Sequence, residues 1–277
     1  KTYCLCEDDS IIGTPFYIME FLDGRIFEDF SMPGVGAEER TKLWKAAVET
    51  LAKFHKVDFR KVGLEKFGKH QGFYNRQIQT WQKICEMQSQ AVDIETQEAV
   101  GQLPHFDELI RFFNNEKLQP KDMTTLVHGD YKIDNMVFHK TEPRVIGILD
   151  WEMATIGHPL SDMCNFLTQF YIAKNPSATV HGSVEGFLPG RTPGLPQPED
   201  ILNWYTSASG YDPRPELNWG MAFNIFKLAG VIQGIAARYA MRQASSEKAK
   251  EHAAARKPLA ELAWKLAQDA SKDTPKL

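Results

Sequence analysis

Cysteine is scarce in this chain, and none of it stands in a Cys-x-x-Cys pair. The four cysteines among 277 residues are Cys4, Cys6, Cys85 and Cys164, and no two form a Cys-x-x-Cys motif. Cys4 and Cys6 would point to one face of a predicted strand, an arrangement that fits disulfide geometry poorly. We therefore expect reduced thiols in an intracellular, cytoplasmic protein rather than a disulfide framework.

A strong excess of charge and a long uncharged apolar run are also missing. Lys and Arg number 32 against 36 Asp and Glu, which gives a net charge of −4. A nucleic-acid interface usually needs a concentrated basic face, so we expect no nucleic-acid partner. The most apolar predicted helix, residues 221–242, is interrupted by Lys227 and Arg238. This favours a core helix over a membrane span, while the oligomeric state stays open.

The most informative pattern is a set of polar residues placed between apolar segments. His128, Asp130 and Asn135 stand at the spacing His-x-Asp-x-x-x-x-Asn, and Asp150 ends the apolar run 145–149. Kinase catalytic loops have this spacing, with a second Asp that follows a strand pair and holds magnesium. Each residue alone is common in turns and caps. The full set at this spacing predicts a phosphoryl-transfer loop.

Two of these residues, Asn135 and Asp150, are predicted to meet at the open end of one β-hairpin. Residues 136–139 and 145–149 are short apolar runs, and the polar tract 140–144 between them contains a proline. Such a tract indicates a turn. Folding the hairpin about the middle of the tract places Asn135 opposite Asp150. Two oxygen-bearing side chains at one point suit magnesium, which completes its shell with water and phosphate.

With these motifs the chain resembles the aminoglycoside phosphotransferase-like kinases. It is most similar to the branch that includes the kinase-like N-terminal domains of some acyl-CoA dehydrogenase family proteins. The segments that carry the resemblance are residues 128–135, 149–152, 6–21, 158–162 and 226–234. The resemblance implies an α+β, bilobal protein-kinase-like fold. Residues 1–22 would be the last strands of the small lobe and the hinge, and residues 23–277 the large, mostly helical lobe.

The resemblance also implies the chemistry. ATP and Mg²⁺ would be the cofactors, and the acceptor would be a small-molecule hydroxyl, with a hydroxyacyl group on coenzyme A as the compound that the branch implies. Asp130 would accept the hydroxyl proton, and Lys132 would contact the γ-phosphate. Asn135 and Asp150 would hold magnesium. Asp162 would support the catalytic loop.

The nucleotide end of the site is implied less completely. Adenine would lie against the hinge at Met19, Glu20 and Leu22, facing the Glu20 carbonyl and the Leu22 amide. Kinases of this type also cover the phosphates with a glycine-rich loop and clamp them with a Lys on the third strand. This sequence offers no counterpart. We therefore expect a small lobe that is incomplete at its N-terminus, weak ATP binding, and full activity only with N-terminal residues absent here.

Two alternatives stay open. A pseudokinase or ligand-binding module without transferase activity is favoured by the missing phosphate clamp. A kinase of another small alcohol is the second, with an amino-alcohol, an amino acid or an aminoglycoside as acceptor. An aminoglycoside would need a strongly acidic pocket, and the predicted large-lobe helices carry no dense acidic cluster. Glu152 could touch substrate or metal, or be a solvated loop acid.

Periodicity predicts the remaining elements. The predicted strands are residues 2–6 and 15–21, and the predicted helices are residues 37–57, 73–87, 105–118, 163–171, 199–210, 216–241 and 246–270. Pro258 should break or restart the last helix. Residues 175–200 hold five prolines and four glycines and form a candidate lid. The tripeptide 275–277 differs by one residue from a peroxisomal Ser-Lys-Leu address, so peroxisomal location is an alternative.

Overall fold

A computed structural model of the chain describes residues 1–178, 184–243 and 249–273. The elements in chain order are β1 (Thr2–Cys6), β2 (Phe16–Met19), α1 (Ala37–His55), α2 (Phe73–Ser89), α3 (Phe106–Phe113), β3 (Thr125–Val127), β4 (Met136–Phe138), β5 (Val145–Ile148), β6 (Thr155–Gly157), α4 (Leu160–Ile172), α5 (Pro198–Ser209), α6 (Leu217–Ala240), α7 (Ala249–Ala254) and α8 (Arg256–Asp273). Over these ranges the strands form two-stranded antiparallel sheets, β1 with β2, β3 with β6 and β4 with β5. This is the predicted α+β composition.

The N-terminal hairpin is joined to the catalytic region through the connector that follows it. Apolar side chains on and beside the hairpin are exposed, among them Leu5 (67%), Tyr17 (55%) and Phe21 (86%). Beyond β2, Arg25 exchanges two backbone hydrogen bonds with Phe138 of β4, at 2.7 and 2.8 Å. The connector therefore runs antiparallel to β4 and lies beside the catalytic hairpin. The division of the chain at residues 22 and 23 stays a prediction.

The β4–β5 hairpin corrects the predicted register. The Leu149 amide donates to the Asn135 carbonyl at 2.8 Å, so Asn135 lies opposite Leu149 and not opposite Asp150. The prediction was wrong by one residue because the turn is centred earlier, with the His139 amide donating to the Arg144 carbonyl at 2.9 Å. A bulge in β5 then recovers only part of that shift. Asp150 still begins the segment that leaves this end of the hairpin.

A helical core built around α6 supports the catalytic region. Helix α6 packs against α8, α4 and α2, and α1 packs against α5. By length and composition alone the segment Arg214–Ala240 could cross a membrane, yet 72% of its most apolar window is buried inside the protein. A helix at the centre of a folded domain gives the same signature. The burial confirms the prediction of a core helix.

Most predicted elements are present, with ends shifted by a few residues. The third helix ends at Phe113, five residues before its predicted end, because the chain turns at Asn115, whose amide donates to Phe112. Strand β2 ends at Met19. The predicted closing helix is divided before Arg256, and Pro258 lies in the first turn of α8, where a proline lacks no needed N–H. Parts of three predictions, at residues 179–183, 246–248 and 275–277, lie outside the described residues.

Candidate active site

His128 connects the catalytic loop to the strand end that precedes Asp150. Its buried ring donates from Nε2 to the Leu149 carbonyl at 2.9 Å and accepts the Asp130 amide at Nδ1, at 3.2 Å. Trp151 packs on the same ring, with centroids 4.8 Å apart. These contacts fix the ring in the tautomer that carries its hydrogen on Nε2. The backbone of Asp130 is therefore held close to Leu149, the residue that directly precedes Asp150.

Asp162 holds the loop from the opposite side and is almost completely buried, at 1% exposure. Its Oδ2 accepts the His128 amide at 2.7 Å, and its Oδ1 accepts the Gly129 amide at 2.8 Å. The same Oδ2 accepts His55 Nε2 at 3.1 Å. A buried carboxylate that satisfies two backbone donors fixes the loop conformation. The prediction that Asp162 supports the catalytic loop is confirmed, although α4 begins at Leu160 and its N-cap is Pro159.

A second shell of hydrogen bonds orients His55. Its Nδ1 lies 2.6 Å from the Tyr205 hydroxyl, so the ring bridges α5 and Asp162. Burial raises the pKa of Tyr205 well above its usual range, so the phenol keeps its proton and can donate to His55. His55 is thus a packed, hydrogen-bonded residue, as its position at the end of α1 predicts.

Asp130 lies at the mouth of this loop and keeps part of its carboxylate in solvent. Asn135 Nδ2 donates to Asp130 Oδ2 at 3.0 Å and to the Asp130 carbonyl at 2.9 Å. Asn165 of α4 approaches Asp130 Oδ1 at 3.3 Å. The carboxylate is therefore oriented by two side-chain amides, and its side chain stays 28% exposed. An oriented, accessible carboxylate can accept a proton from a bound hydroxyl.

Lys132 lies between two carboxylates rather than free in the cleft. Its Nζ is 3.2 Å from Asp130 Oδ2 and 3.5 Å from Asp134 Oδ2. Burial lowers the pKa of Lys132, but the two carboxylates outweigh burial and the net shift is upward. Burial raises the pKa of Asp134, and Lys132 offsets this only in part. The ammonium therefore stays charged next to the proposed base.

The proposed magnesium ligands suit that metal in kind and number. Asn135 uses its Nδ2 on Asp130, which leaves Oδ1 as its remaining ligand atom. Asp150 is exposed and adopts a left-handed backbone conformation, with φ of 64°, which Asp tolerates better than most residues. Over the described ranges no group of three His, Cys, Asp or Glu residues could hold a metal. A site with two protein oxygens fits magnesium, which keeps water and phosphate ligands.

Gly129 permits the loop to approach the segment after Asp150. Its φ is +88°, and a Cβ at this position would lie 2.6 Å from the Met153 carbonyl oxygen. Only glycine satisfies both the left-handed backbone and the close contact. The Gly in the His-Gly-Asp motif is therefore explained by its packing against Met153, in the segment that follows Asp150.

The predicted hinge residues are close to the β4–β5 hairpin. Leu22 packs over Gly147 of β5, where any Cβ would overlap the Leu22 side chain. In the described part of the chain, the Glu20 carbonyl and the Leu22 amide make no hydrogen bond, so both are free to face a ligand. Met19 is 41% exposed at the end of β2. Leu22 of the predicted hinge therefore lies directly beside the β4–β5 hairpin.

Sequence reasoning missed three residues near Asp130. Asn165 and Asp134 contact Asp130 or its partner Lys132. Burial lowers the pKa of Lys227 of α6, and the charges of Asp162 and Asp130 partly offset this effect. A signal was available for Lys227, because it is a charge inside an otherwise apolar helix. Asn165 had none, since its contact depends on the packing of α4 against the loop. Glu152 is exposed, and its role stays open.

Comparisons with known proteins identify the family of this chain. Residues 1–196 match the family model described as the phosphotransferase enzyme family. The chain belongs to this family. A solved structure from Ralstonia eutropha, provisionally assigned as an aminoglycoside phosphotransferase, is 35% identical with a TM-score of 0.80, and the match covers 97% of this chain and 78% of that one.

Two further comparisons limit what can be concluded from membership of this family. Mouse acyl-CoA dehydrogenase family member 11 is 39% identical over 276 residues, which is 99% of this chain but 34% of that protein. This phosphotransferase-family chain thus spans about a third of that curated relative. The ADP-bound aminoglycoside phosphotransferase APH(2'')-Ib is 14% identical with a TM-score of 0.51, covering 90% of this chain and 73% of that one. At that identity the likeness shows the kinase-like fold alone.

Proposed function

We propose that this domain is an ATP- and magnesium-dependent kinase that phosphorylates a hydroxyl of a small molecule, in particular of a hydroxyacyl group carried on coenzyme A. The observation that carries the proposal is the arrangement of Asp130 and Asn135 on one loop, tied through His128 to the strand end before Asp150. Membership of the phosphotransferase enzyme family supports the reaction class.

The chain's own residues divide the work of phosphoryl transfer. Asp130 orients the acceptor hydroxyl and takes its proton, while its carboxylate is kept in place by Asn135 and Asn165. Lys132 contacts Asp130 and Asp134. Its flexible side chain would let the ammonium turn from Asp130 toward the γ-phosphate when substrates bind. Positioning and charge carry nearly all catalysis in this reaction class.

The nucleotide end is supported by the hinge and by the oxygen pair. Adenine would donate a hydrogen bond to the Glu20 carbonyl and accept one from the Leu22 amide, beside the β4–β5 hairpin on which Leu22 packs. Asn135 Oδ1 and the Asp150 carboxylate would hold magnesium, which supplies charge neutralisation at the phosphates. The fold is shared with an ADP-bound phosphotransferase, which supports the choice of nucleotide.

The acceptor follows from the relatives that this chain matches over nearly its whole length. They are acyl-CoA dehydrogenase family proteins, whose name points to acyl-CoA substrates. A kinase domain in such a protein would act on an acyl chain that carries a hydroxyl. Because the chain spans about a third of the mouse relative, this acceptor is a proposal for the kinase domain only.

A panel of acceptors tests the function. The full natural chain is incubated with ATP, magnesium and one acceptor at a time, and ADP release and the phosphorylated product are followed by a coupled assay and mass spectrometry. We expect turnover with hydroxyacyl-CoA compounds and none with acyl-CoA compounds that lack the hydroxyl. The Asp130→Asn variant is the control for chemistry without loss of fold.

The same panel separates the alternatives. Amino-alcohols, hydroxy amino acids and an aminoglycoside are included at equal concentration. Faster turnover of any of these than of hydroxyacyl-CoA would assign the domain to another small alcohol. If none of the acceptors supports ADP release although the protein still binds nucleotide, the domain is a binding module and the proposal is contradicted.

A further inference from the structure

Helix α6 carries a cation that the catalytic scheme does not use. Lys227 stands inside an otherwise apolar helix, half-buried, and makes no hydrogen bond or ion pair with any residue in the described ranges. Burial lowers the pKa of Lys227, and nearby Asp162 and Asp130 partly offset this effect. A cation that has lost part of its hydration without gaining a bonded partner is costly. Such a cost is offset when a ligand supplies the missing partner.

The packing of α6 on α4 determines which part of α4 lies beside the backbone of Lys227. A Cβ on Gly220 would lie 2.7 Å from Cys164 Sγ, and Asn224 Nδ2 donates to Thr168 Oγ1 at 2.8 Å. Both residues of α6 therefore pair with a residue of α4 in the same chain direction, so the two helices run side by side and parallel. Lys227 comes one turn after Asn224.

The side chain of Lys227 is directed toward Asp130. Long side chains on a helix lean back toward its N-terminus, which brings the ammonium of Lys227 toward the level of Cys164. Asn165, the next residue of α4, contacts Asp130 Oδ1 at 3.3 Å. The electrostatic interactions of Lys227 with Asp130, Asp162 and Cys164 agree with this direction. The ammonium is therefore directed toward Asp130 and makes no hydrogen bond with its carboxylate.

This side of α6 is open to solvent. Val231, one turn beyond Lys227, is 45% exposed, and Leu228 is half-buried. Lys227 and Asp130 both keep part of their side chains in solvent, so a small molecule long enough to span them can contact both groups. The apolar neighbours offer a surface for the carbon chain of such a molecule.

We propose that Lys227 binds an acyl oxygen of the acceptor while the acceptor hydroxyl lies at Asp130. The oxygen belongs either to a free carboxylate or to a thioester carbonyl, since both accept a hydrogen bond from an ammonium. Because Lys227 and Asp130 do not touch, the hydroxyl and the acyl oxygen must be separated by several bonds. This inference rests on the proposed kinase function and makes Lys227 the residue that determines acceptor specificity.

The proposal also predicts which acceptors are rejected. An amino-alcohol or an aminoglycoside would place an ammonium next to the half-buried ammonium of Lys227, and like charges in a partly dehydrated site repel strongly. Replacing Lys227 with a neutral residue of similar length would remove both the attraction for acyl oxygens and this repulsion. If Lys227 had only a structural role, its replacement would not change the preference between acyl and cationic acceptors.

The test compares Lys227→Met with Arg238→Met, which removes an exposed cation from the same helix. Four acceptors are used: a hydroxy acid, its coenzyme A thioester, an uncharged alcohol of equal chain length, and an amino-alcohol. We expect Lys227→Met to raise KM at least tenfold for the hydroxy acid or its thioester, with kcat and the uncharged alcohol changed less than threefold. The amino-alcohol should improve, Arg238→Met should match the wild type, and Lys227→Arg should recover part of the loss.

Each outcome decides the proposal. A raised KM of Lys227→Met for the free acid alone identifies a carboxylate site. A raised KM for the thioester alone identifies a carbonyl site. Equal losses for all four acceptors, or an unchanged KM for both acyl compounds, would overturn it. Calorimetric binding of the same acid and thioester without their hydroxyl groups tests Lys227 separately from turnover. If the wild type transfers no phosphate but Lys227→Met still weakens this binding tenfold, the kinase proposal fails while the Lys227 site stands.

Discussion

Replacing Asp162 with Asn should loosen the catalytic loop and reduce turnover together. The carboxylate accepts the amides of His128 and Gly129 and Nε2 of His55 at 1% exposure. An Asn has one acceptor oxygen, so at least one of these buried donors loses its partner and faces an NH₂ group. The side-chain shape is otherwise unchanged, which isolates the hydrogen bonds from packing.

The expected loss of stability follows from those contacts. One stranded buried donor costs about 1–3 kcal/mol, and the two remaining bonds each lose roughly 1 kcal/mol when the acceptor is no longer charged. The sum is about 3–5 kcal/mol, a large share of a typical unfolding free energy of about 5–15 kcal/mol. With a urea slope of about 3 kcal/mol per molar, the midpoint should fall by about 1 M or more.

The loss of activity should exceed what unfolding explains. Gly129 directly precedes Asp130, so a relaxed Gly129 amide moves the base, and misplacement by about 1 Å can cost about a hundredfold in rate. We expect kcat to fall at least tenfold under conditions where the variant is folded, as monitored by circular dichroism and urea titration.

Asp93→Asn is the matched control for this prediction. Asp93 also accepts two backbone amides, those of Glu95 and Thr96 at 2.9 and 3.1 Å, but it lies in a surface loop. Water can replace a lost acceptor there, so the midpoint should shift less. An unchanged midpoint and kcat in Asp162→Asn, or an equal loss in both variants, would refute the reasoning from burial.

Three further predictions concern the same region. Asp130→Asn should reduce phosphoryl transfer at least a hundredfold and leave nucleotide affinity within a few-fold, because Asp130 acts on the acceptor; substantial residual turnover would show that another group is the base. Asp150→Ala should weaken ATP binding much more in magnesium than without it, and Asn135→Ala should do so less; calorimetry showing equal losses in both conditions would argue against metal ligation. Burial lowers the pKa of His158 below its ordinary value of 6.5, so the unfolded chain binds a proton that the folded chain does not. Stability should be complete above about pH 7 and decrease as the pH falls through about 6.5, and urea midpoints between pH 7 and pH 5 should fall less steeply in His158→Gln.

The reason for the behaviour of His158 is its hydrogen bonding. Nδ1 accepts the Leu160 amide at 3.2 Å, and Nε2 lies 2.9 Å from the Lys121 carbonyl. The neutral ring satisfies both partners, whereas a second proton at Nδ1 would face a donor. A pH profile of the variant that is as steep as that of the wild type would assign the acid sensitivity to other groups.

Local features of the site were predictable from the sequence because they depend on short separations along the chain. The spacing of Asp130, Asn135 and Asp150 lies within one loop and one hairpin, and turn residues between apolar runs indicate that hairpin. Even here the register was wrong by one residue at Asn135, because the turn is centred earlier than the polar tract indicates and the bulge in β5 recovers only part of that shift. The roles assigned to these residues remain predictions that the variants above would test.

The sequence by itself predicted the phosphotransferase family, the position of the candidate catalytic loop and the core character of α6, since each is encoded in motifs, spacing or periodicity over a few residues. The tertiary structure decided which distant groups surround Asp130. The bond from His55 to Asp162 spans 107 residues, and Asn165 reaches Asp130 from 35 residues away. The inferred approach of Lys227 to Asp130 likewise depends on the packing of α6 against α4. Such contacts depend on how helices pack in three dimensions, and the pattern along any one helix does not specify its neighbours.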